Sequence, residues 1–530
     1  MNKKVALVAF QEFDNLGAGY LASVLTEAGY EPEIIDFMLG KEEILKQLHK
    51  LKPLITGFSV VFQYHIDEFR ELIDYLRKGR IKCHFTAGGY YASLRFEEIF
   101  RYIPWLDSVV RFDGEYTLLE LTNCIFSETD WKNLSGIAFR NNGEIVSNLL
   151  RPLEIDLDKF PFPKRTPLEG YVLDKKFATL LAGRGCTNRC SFCNNREYNK
   201  QSSGPIKRIR RPEKVVEEME FLYHKMGCSL FMFEDDDFPV KADKESGWIE
   251  KFCFELEQKK LNNKIMWKIN CRPDEVDVDS FETMRNHGLF MLFLGIDDGT
   301  DIGLARLNKN MTVSKSLKGI NILKKLGIEF DYGFMLFQPS STFKILYENL
   351  DFLGLVCSDG YTPVTFLKLR PYFETQVEKE LRTEGRLKGV PGYWDYDFIE
   401  GSMNNYYEFT SDCFREWLTY PEGLVSLLKW ARNYISVISF YYKTTPEISD
   451  ISYSIRQNIS GSNLFFLDTM RELGELFEGG IYNNDNQGEL NSYKEKINSI
   501  HNHITEETKA SIRRMLLLVE YQKIDQLISK

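Results

Sequence analysis

A chain of 530 residues exceeds the roughly 100–200 residues of one domain, so two to four cores are expected and a single small module is excluded. Hydrophobic residues at 43% and aromatics at 14% supply ample interior material and exclude wholesale disorder. Lys and Arg number 67 against 77 Asp and Glu, and the net charge of -10 repels phosphate backbones and anionic lipid, which argues against nucleic acid and membrane as partners.

The chain opens Val5–Phe10 and runs directly into Gln11, Glu12 and Asp14, which reads as a first strand rather than a signal peptide. From there to about Leu121, apolar runs at Glu33–Asp36, Ile55–Phe62 and His84–Ala87 alternate with amphipathic stretches at Ala18–Ala28, Glu42–Leu51 and Ile66–Leu76. This βαβα rhythm predicts an α/β domain, a doubly wound (Rossmann-like) parallel sheet over 1–150. Four prolines within Arg151–Pro167 break every periodicity and predict a linker over 151–170. Over 171–390 six strands are expected, at Phe177–Leu181, Leu230–Phe233, Met266–Asn270, Phe290–Ile296, Tyr332–Phe337 and Thr365–Arg370. Such a series is that of an open or closed (βα) barrel. Pro212 opens one intervening helix, with Val215, Val216, Met219, Leu222, Tyr223 and Met226 on a single face. Residues 391–530 read as mainly helical, with Leu424, Leu427, Leu428, Ala431 and Ile435 at helix spacing, a loop over Glu478–Gly488 and a last helix over Ile512–Leu527. No apolar run reaches the roughly 18–20 residues of a membrane helix, since even Leu289–Ile296 ends at Asp297 and Asp298.

Ten cysteines without a regular framework suit a reducing cytoplasm and invite a search for metal spacing. Cys186, Cys190 and Cys193 follow a strand as C-x3-C-x2-C, a spacing that random placement of ten cysteines would give roughly 0.004 times per chain. A tetrahedral zinc site wants a fourth protein ligand, and no nearby Cys or His stands at zinc spacing. Three thiolates on a 4Fe-4S cluster instead leave one iron open. Cys228, Cys253, Cys271, Cys357 and Cys413 are dispersed, so a single cluster is expected and those five read as small buried hydrophobes.

This loop, with Phe192 just before its third cysteine, resembles the radical S-adenosylmethionine (SAM) enzymes, over roughly residues 1 to 390. The resemblance implies a partial (βα)6 barrel and a cluster whose open iron holds the amino and carboxylate groups of SAM. It further implies one-electron cleavage of SAM to a 5′-deoxyadenosyl radical, with an external reductant of flavodoxin or ferredoxin type. Phe231–Phe238, with Asp235 and Asp236, is similar to the second-strand element that holds the SAM amino group. Asn270 and Arg272, with Leu294–Gly299 and its Asp297, are similar to the third and fourth strand ends, and Leu369–Thr375 resembles the exit of the sixth. Phe192, Asp235, Asp236, Asn270, Arg272 and Asp297 are the SAM-binding candidates so implied.

The loops at the carboxyl ends of the N-terminal strands carry small residues at Gly17, Ser59, Gly88 and Gly89, which let a bulky ligand approach the backbone. They look like a cobalamin-binding domain, in which the nucleotide tail of the cofactor is threaded between such loops. Arg111–Glu115 resembles the turn that closes that domain in radical SAM enzymes. Glu12, Asp14, Gly17, Ser59, Phe62, Gln63, Tyr64, Gly88, Gly89, Tyr90 and Glu115 are the implied contacts. Asp14 stands where other cobalamin domains carry a cobalt-ligating histidine, so cobalamin is expected without that lower ligand and with Phe62, Gln63 or Tyr64 beneath the corrin; His65 reads as a helix-start histidine. The function implied is a cobalamin-dependent C-methyltransferase acting on an unactivated carbon of a small-molecule or natural-product substrate, through a 5′-deoxyadenosyl radical and methylcobalamin. Two alternatives stand beside it. One is cyclisation, rearrangement, epimerisation or oxidation on the same architecture, with or without cobalamin; the other is a non-catalytic iron-sulfur or corrinoid sensor or carrier. A methylthiotransferase is disfavoured, because residues 1–120 hold only Cys83. The aromatic pairs Tyr406-Tyr407 and Tyr441-Tyr442 read as packing within a cap on the barrel.

Overall fold

The structure is a computed structural model and describes every residue except 1, 12–13, 167–169, 241–246, 481–486 and 529–530; for 487 and 525–528 only the backbone is described. The chain divides into two compact units. The first comprises Met1–Gly170, Lys176–Leu261 and Arg370–Asp395, and the second Tyr171–Lys175, Asn262–Leu369 and Tyr396–Lys530.

In the first unit, β1 (Lys4–Ala9), α1 (Leu16–Glu27), β2 (Glu31–Asp36), α2 (Lys41–Leu51), β3 (Ile55–Ser59), α3 (Ile66–Lys78), β4 (His84–Gly88), α4 (Tyr90–Leu94), α5 (Phe96–Tyr102), β5 (Ser108–Val110) and α6 (Glu115–Phe126) alternate as the periodicity predicts. Strands β1 to β5 are parallel, in the order β2-β1-β3-β4-β5. Both faces of this sheet are covered, which is why β1 is an unbroken apolar run. Because side chains alternate along a strand, Ala6, Val8, Phe58 and Phe85 pack in one core and Val5, Leu7 and Ile55 in the other. The strand order reverses between β1 and β3, and in such sheets ligands enter at the carboxyl ends beside that reversal.

An antiparallel hairpin, β6 (Ile137–Asn141) and β7 (Glu144–Ser147), extends the sheet beyond β5 and was not expected. Its signal was present: Asn142 and Gly143 both take positive φ, 51° and 90°, as a two-residue primed turn requires. The proline-rich segment expected as a linker is pinned down. Ser23 Oγ donates to the Phe162 carbonyl at 2.7 Å and the Lys164 N–H to the Gly19 carbonyl at 3.0 Å. A Cβ on Gly19 would stand 2.8 Å from the Lys164 oxygen, so this contact needs glycine.

His84 gives the first unit an acid sensitivity. Its Nε2 lies 2.8 Å from Ser108 Oγ, and burial pushes its pKa down to about 4 against the pull of Asp107. A histidine whose folded pKa lies below its ordinary value contributes stability at neutral pH that is lost as pH falls from about 6.5 toward 4. His84→Gln is expected to flatten the pH dependence of urea resistance over that window relative to the parent; superimposable slopes would count against this assignment.

After the short β8 (Tyr171–Val172), β9 (Lys175–Leu180) leads into β10 (Gly183–Arg184), α7 (Asn195–Gln201), β11 (Arg208–Ile209), α8 (Pro212–Met226) and β12 (Cys228–Phe233). Strands β9 and β12 pair in parallel across α8, which starts at Pro212 and ends at Gly227 in the left-handed region. Val215, Val216, Met219 and Leu222 are buried and Tyr223 and Met226 half-buried, along the face expected from spacing.

In the second unit, β13 (Met266–Cys271), β14 (Leu289–Asp297) and β15 (Glu329–Phe334) form a parallel set separated by helices. The sixth strand expected over Thr365–Arg370 does not form as a strand. Its stretch up to Leu369 makes one bridge, Lys368 to Phe337, and donates from Leu367 and Leu369 N–H to the Phe334 and Phe337 carbonyls. Pro363 and Pro371, which bracket it, lack the N–H groups a longer ladder would use. Helices Gly401–Cys413, Leu424–Tyr441, Pro446–Glu478 and Gln487–Ile528 make the C-terminal region helical, the last beginning well before the expected Ile512. The loop expected over Glu478–Gly488 falls mostly on 481–486, outside the described residues. Tyr406 is buried with its hydroxyl donating to the Met470 carbonyl at 2.8 Å, a packing role. No helix among the described residues is long and apolar enough to cross a membrane.

Candidate active site at the cluster loop

The loop after β9 is held at its root by Asp235, at the carboxyl end of β12. Its two oxygens accept from the Ala182 N–H at 3.0 Å and the Gly183 N–H at 2.6 Å. Burial pushes this carboxyl up to about 7, against those two donors and Lys207. Gly185 has φ +85°, and a Cβ there would stand 1.9 Å from the Ile206 carbonyl oxygen, so only glycine passes this point. Beyond it, Asn199 Nδ2 donates to the Cys186 carbonyl at 3.0 Å, Asn188 Nδ2 lies 3.3 Å from Cys186 Sγ, and the Cys193 N–H meets the Cys190 carbonyl at 3.3 Å.

None of the three cysteines forms a disulfide, and all are partly buried. Burial pushes the Cys193 thiol up to about 12, and the neighbouring Cys190 and Cys186 push the same way, so the three sulfurs share one electrostatic site. Cys186 is raised by burial and then by Asp237. Left alone such thiols keep their protons, whereas a metal binds them as thiolates. Among the described residues no three His, Cys, Asp or Glu side chains gather tightly enough for one metal ion. Three thiols on one loop suit a multi-iron cluster, in which each ligates a different iron. Phe192 is half-buried between the second and third cysteines. The other five cysteines, Cys228, Cys253, Cys271, Cys357 and Cys413, read as small hydrophobes, are buried and form no disulfide.

A cavity of about 370 Å³ opens at the carboxyl ends of β1, β3 and β4 and continues to this loop, with Gly17, Ser59 and Gly88 on one side and Gly183, Arg184 and Asp236 on the other. Asp236 is accessible from the cavity yet enclosed by protein; burial raises its carboxyl, while Asn195, Lys207 and the Gly185 N–H lower it. Gly89 has φ +104°, and a Cβ there would stand 2.8 Å from the Val60 carbonyl oxygen. Tyr90 follows and stacks on Tyr198 at 4.2 Å, the latter from α7, directly after the third cysteine. The Arg111–Glu115 turn reaches the same hairpin. Glu115 bonds Arg184 at 2.7 Å, and Asp113 lies 3.7 Å from Arg184 and pairs with Arg208. Burial by itself would lower the Arg184 pKa, but Glu115 and Asp113 hold it above its ordinary value.

Of the cobalamin candidates, Gly17, Ser59, Gly88, Gly89, Tyr90 and Glu115 therefore wall one cavity. Glu12 lies outside the described residues. Asp14 faces away into a buried ion-pair chain: it pairs with Arg165 and accepts from Thr179 Oγ1 at 3.2 Å, Arg165 continues to Glu218 at 2.7 Å, and Glu218 to Arg210 at 2.7 Å. Gln63, 4% exposed, has both ends of its amide engaged, Nε2 on the Pro371 carbonyl at 3.3 Å and Oε1 on the Phe373 N–H at 2.7 Å. Phe62 and Tyr64 flank it as a stacked pair 5.2 Å apart. His65 Nδ1 lies 2.5 Å from Glu68 Oε2.

In the second unit, Asn270 is half-buried on β13. Arg272 grips Asp274 at 2.9 and 3.3 Å and the Lys309 carbonyl at 2.7 Å. Asp297, at φ +68°, pairs with the Lys309 ammonium. Its neighbour Asp298 accepts from the Thr300 N–H and hydroxyl at 2.7 and 2.8 Å, and burial pushes it up to about 6. Sequence reasoning missed Arg184, Arg208, Tyr198 and Lys309. Within the run Lys207–Arg211, Arg208 and Arg210 are each 5% exposed.

Residues 180–353 match the radical SAM superfamily and residues 2–122 the B12 binding domain. The chain is 27% identical over 426 residues to the anaerobic magnesium-protoporphyrin IX monomethyl ester cyclase of Cereibacter sphaeroides, covering 74% of this chain and 66% of that protein, just under two thirds of its length. It is 25% identical over 334 residues to an uncharacterized methyltransferase of Pyrococcus horikoshii, covering 62% and 70%. In fold it is similar to the cobalamin-dependent SAM radical enzyme OxsB with aqua-cobalamin bound, at TM-score 0.70 and 18% identity over 98% of this chain and 81% of that one. The loop cysteines, the glycine-walled crevice and these matches together show a chain that joins a B12 binding domain to a radical SAM superfamily domain, and the cofactors of those two families are cobalamin and a 4Fe-4S cluster with SAM.

Proposed function

We propose that this enzyme is a C-methyltransferase acting on an unactivated carbon of a small-molecule or natural-product substrate, in a reducing cytoplasm, with an external flavodoxin- or ferredoxin-type electron donor. The observation that carries the proposal is the continuous cavity from Ser59 and Gly88 to Gly183 and Asp236. When bound, cobalamin supplies a transferable methyl group, and the cluster with SAM supplies hydrogen abstraction from carbon. The chain's own residues bind and orient. Glycines 17, 88 and 89 leave room for a ligand against the backbone. The Asp236 carboxylate suits the SAM ammonium, with Asp235 bracing the loop beside it and Phe192, Asn270, Arg272 and Asp297 as further SAM contacts. The Tyr90–Tyr198 stack excludes water where the cavity meets the loop. Phe62, Gln63 and Tyr64 are assigned to the corrin's lower side, with Glu12 as a further contact. The same reading divides the chain at 1–150, 151–170, 171–390 and 391–530.

Cyclisation is the second reading, favoured by the cyclase relative. Incubation of reduced, cluster-loaded, cobalamin-loaded enzyme with SAM bearing a deuterated methyl group separates the two. Methyl transfer predicts S-adenosylhomocysteine and a deuterated methyl on the corrinoid before any substrate is added. Formation of 5′-deoxyadenosine with no S-adenosylhomocysteine would remove methyl transfer and leave the cyclase reading.

A further inference from the structure

The parallel strands of the second unit present two unlike faces. Trp267, Ile269, Leu292, Leu294, Phe330 and Tyr332 are buried on one. On the other, Lys268, Asn270, Phe293, Gly295, Asp331 and Gly333 are all half-buried or exposed. The register sets Asn270, Phe293 and Asp331 in one row, and Lys268 lies one row nearer the amino ends, level with Met291 and Glu329. Phe293 is 39% exposed, and the paired Gly295 and Gly333 put no side chain into the next row toward the carboxyl ends. This face therefore offers an aromatic surface with open space on one side and a lysine on the other.

Its charges do not balance. The helix Leu424–Tyr441 lays Arg432 against the strands, where the guanidinium takes both local acids, Asp331 at 2.6 Å and Glu329 at 3.5 Å, and donates to the Phe330 carbonyl at 3.0 Å. Lys429 from the same helix then stands 4.0 Å from Asp331, at the limit of an ion pair, and burial lowers its pKa. Lys268 has no hydrogen bond and no ion pair among the described residues; its ammonium lies 6.0 Å from the centre of the Phe293 ring. Burial would raise the Asp331 carboxyl, but Arg432, Lys429 and Lys268 hold it below its ordinary value, so all three cations face one carboxylate. Arg456 also reaches Glu329, at 3.9 Å, but is 50% exposed and screened by solvent. Of the shielded groups, three cations (Lys268, Lys429 and Arg432) meet two carboxylates (Glu329 and Asp331), which leaves one positive charge without a counter-ion. One charge matches a carboxylate; a phosphate brings a second, and the arginine fork that suits it is here spent on Asp331. We infer that this face binds the substrate and that the substrate is a monocarboxylate, its carboxylate held by Lys268 and Lys429 and its apolar body lying on Phe293 toward the glycine row. This rests on the proposed small-molecule substrate and holds for methyl transfer and cyclisation alike.

The test is equilibrium binding, by titration calorimetry, of 4-phenylbutyrate, its neutral amide 4-phenylbutanamide and the dianionic 4-phenylbutylphosphonate to the full-length cluster-loaded protein with SAM present. The parent is expected to bind the carboxylate about 10-fold tighter than the amide, Lys268→Met to bring the two within about twofold, and Lys268→Arg, which keeps the charge, to retain the preference. Lys268 has no partner in the fold to lose, so the iron content and urea midpoint of Lys268→Met should match the parent's. Equal affinity of the parent for carboxylate and amide, or binding of neither, would overturn the inference without recourse to any variant, as would a preference that survives in Lys268→Met. Tighter binding of the phosphonate than of the carboxylate would overturn the assignment to a monocarboxylate. Absence of S-adenosylhomocysteine in the labelled-SAM incubation, with the carboxylate preference intact, would strike methyl transfer and leave this inference standing.

Discussion

Replacing Cys190 by Ala is expected to strip the enzyme of its cluster and reduce SAM cleavage by at least about 100-fold, since even residues one step removed from a metal ligand are worth roughly 10–100-fold. The reason is coordination number. The three thiols of the loop are the protein's contribution, and Cys190 lies within the electrostatic reach of Cys193. With two thiolates, two irons of the cube are left to water rather than one. Iron and sulfide per chain, with the visible absorbance of the anaerobically purified protein, measure the first effect, and 5′-deoxyadenosine formed under strong reductant measures the second. Cys228→Ala is the matched control, because that thiol is fully buried on β12 and should leave iron content at the parent's level. A Cys190→Ala protein with a full complement of iron would disprove the assignment of the loop.

The largest loss of stability is expected from Arg165→Met. Arg165 and Asp14 are 4% and 3% exposed at their side chains, and Glu218 is 2% exposed, so the carboxylates cannot turn to solvent once the guanidinium is gone. Removing one partner of a buried ion pair leaves an uncompensated charge and costs about 3–5 kcal/mol. Asp14 keeps only the Thr179 hydroxyl, whereas Glu218 keeps Arg210. Urea unfolding of the apoprotein reads the effect. Lys46→Ala, which breaks an exposed pair with Glu43, should leave the midpoint unchanged. A midpoint for Arg165→Met equal to that of Lys46→Ala would show the chain of charges to be energetically idle.

Which features were legible in the residues follows from the range of the forces that make them. The parallel strands of the first unit were readable because burial on both faces writes a local apolar run, and the C-x3-C-x2-C loop because a cluster gathers its ligands from neighbouring positions. The glycines that wall the cavity were readable for the same reason, as breaks at strand ends. Glu115 with Arg184 and Asp113 with Arg208 are contacts across 69 and 95 residues, and nothing local marks them. Asp14 shows the opposite hazard. Its place in the first strand–helix loop pointed toward a ligand, but Arg165, 151 residues away, captures its carboxylate. The sixth barrel strand had the right composition, yet prolines on either side left it a single bridge. Hairpin β6–β7 was legible through Asn142-Gly143 and passed unread.

The amide of Gln63 closes on Pro371 and Phe373, and Phe373 sits in the same apolar core as Phe58 and Phe85. That core is therefore unfinished until a piece of chain some three hundred residues downstream has been made. At roughly 5–20 residues per second on the ribosome, the nascent amino-terminal half must wait on the order of tens of seconds with a hole where the Phe373 ring belongs. During that interval the open core would present apolar surface to chaperones and proteases.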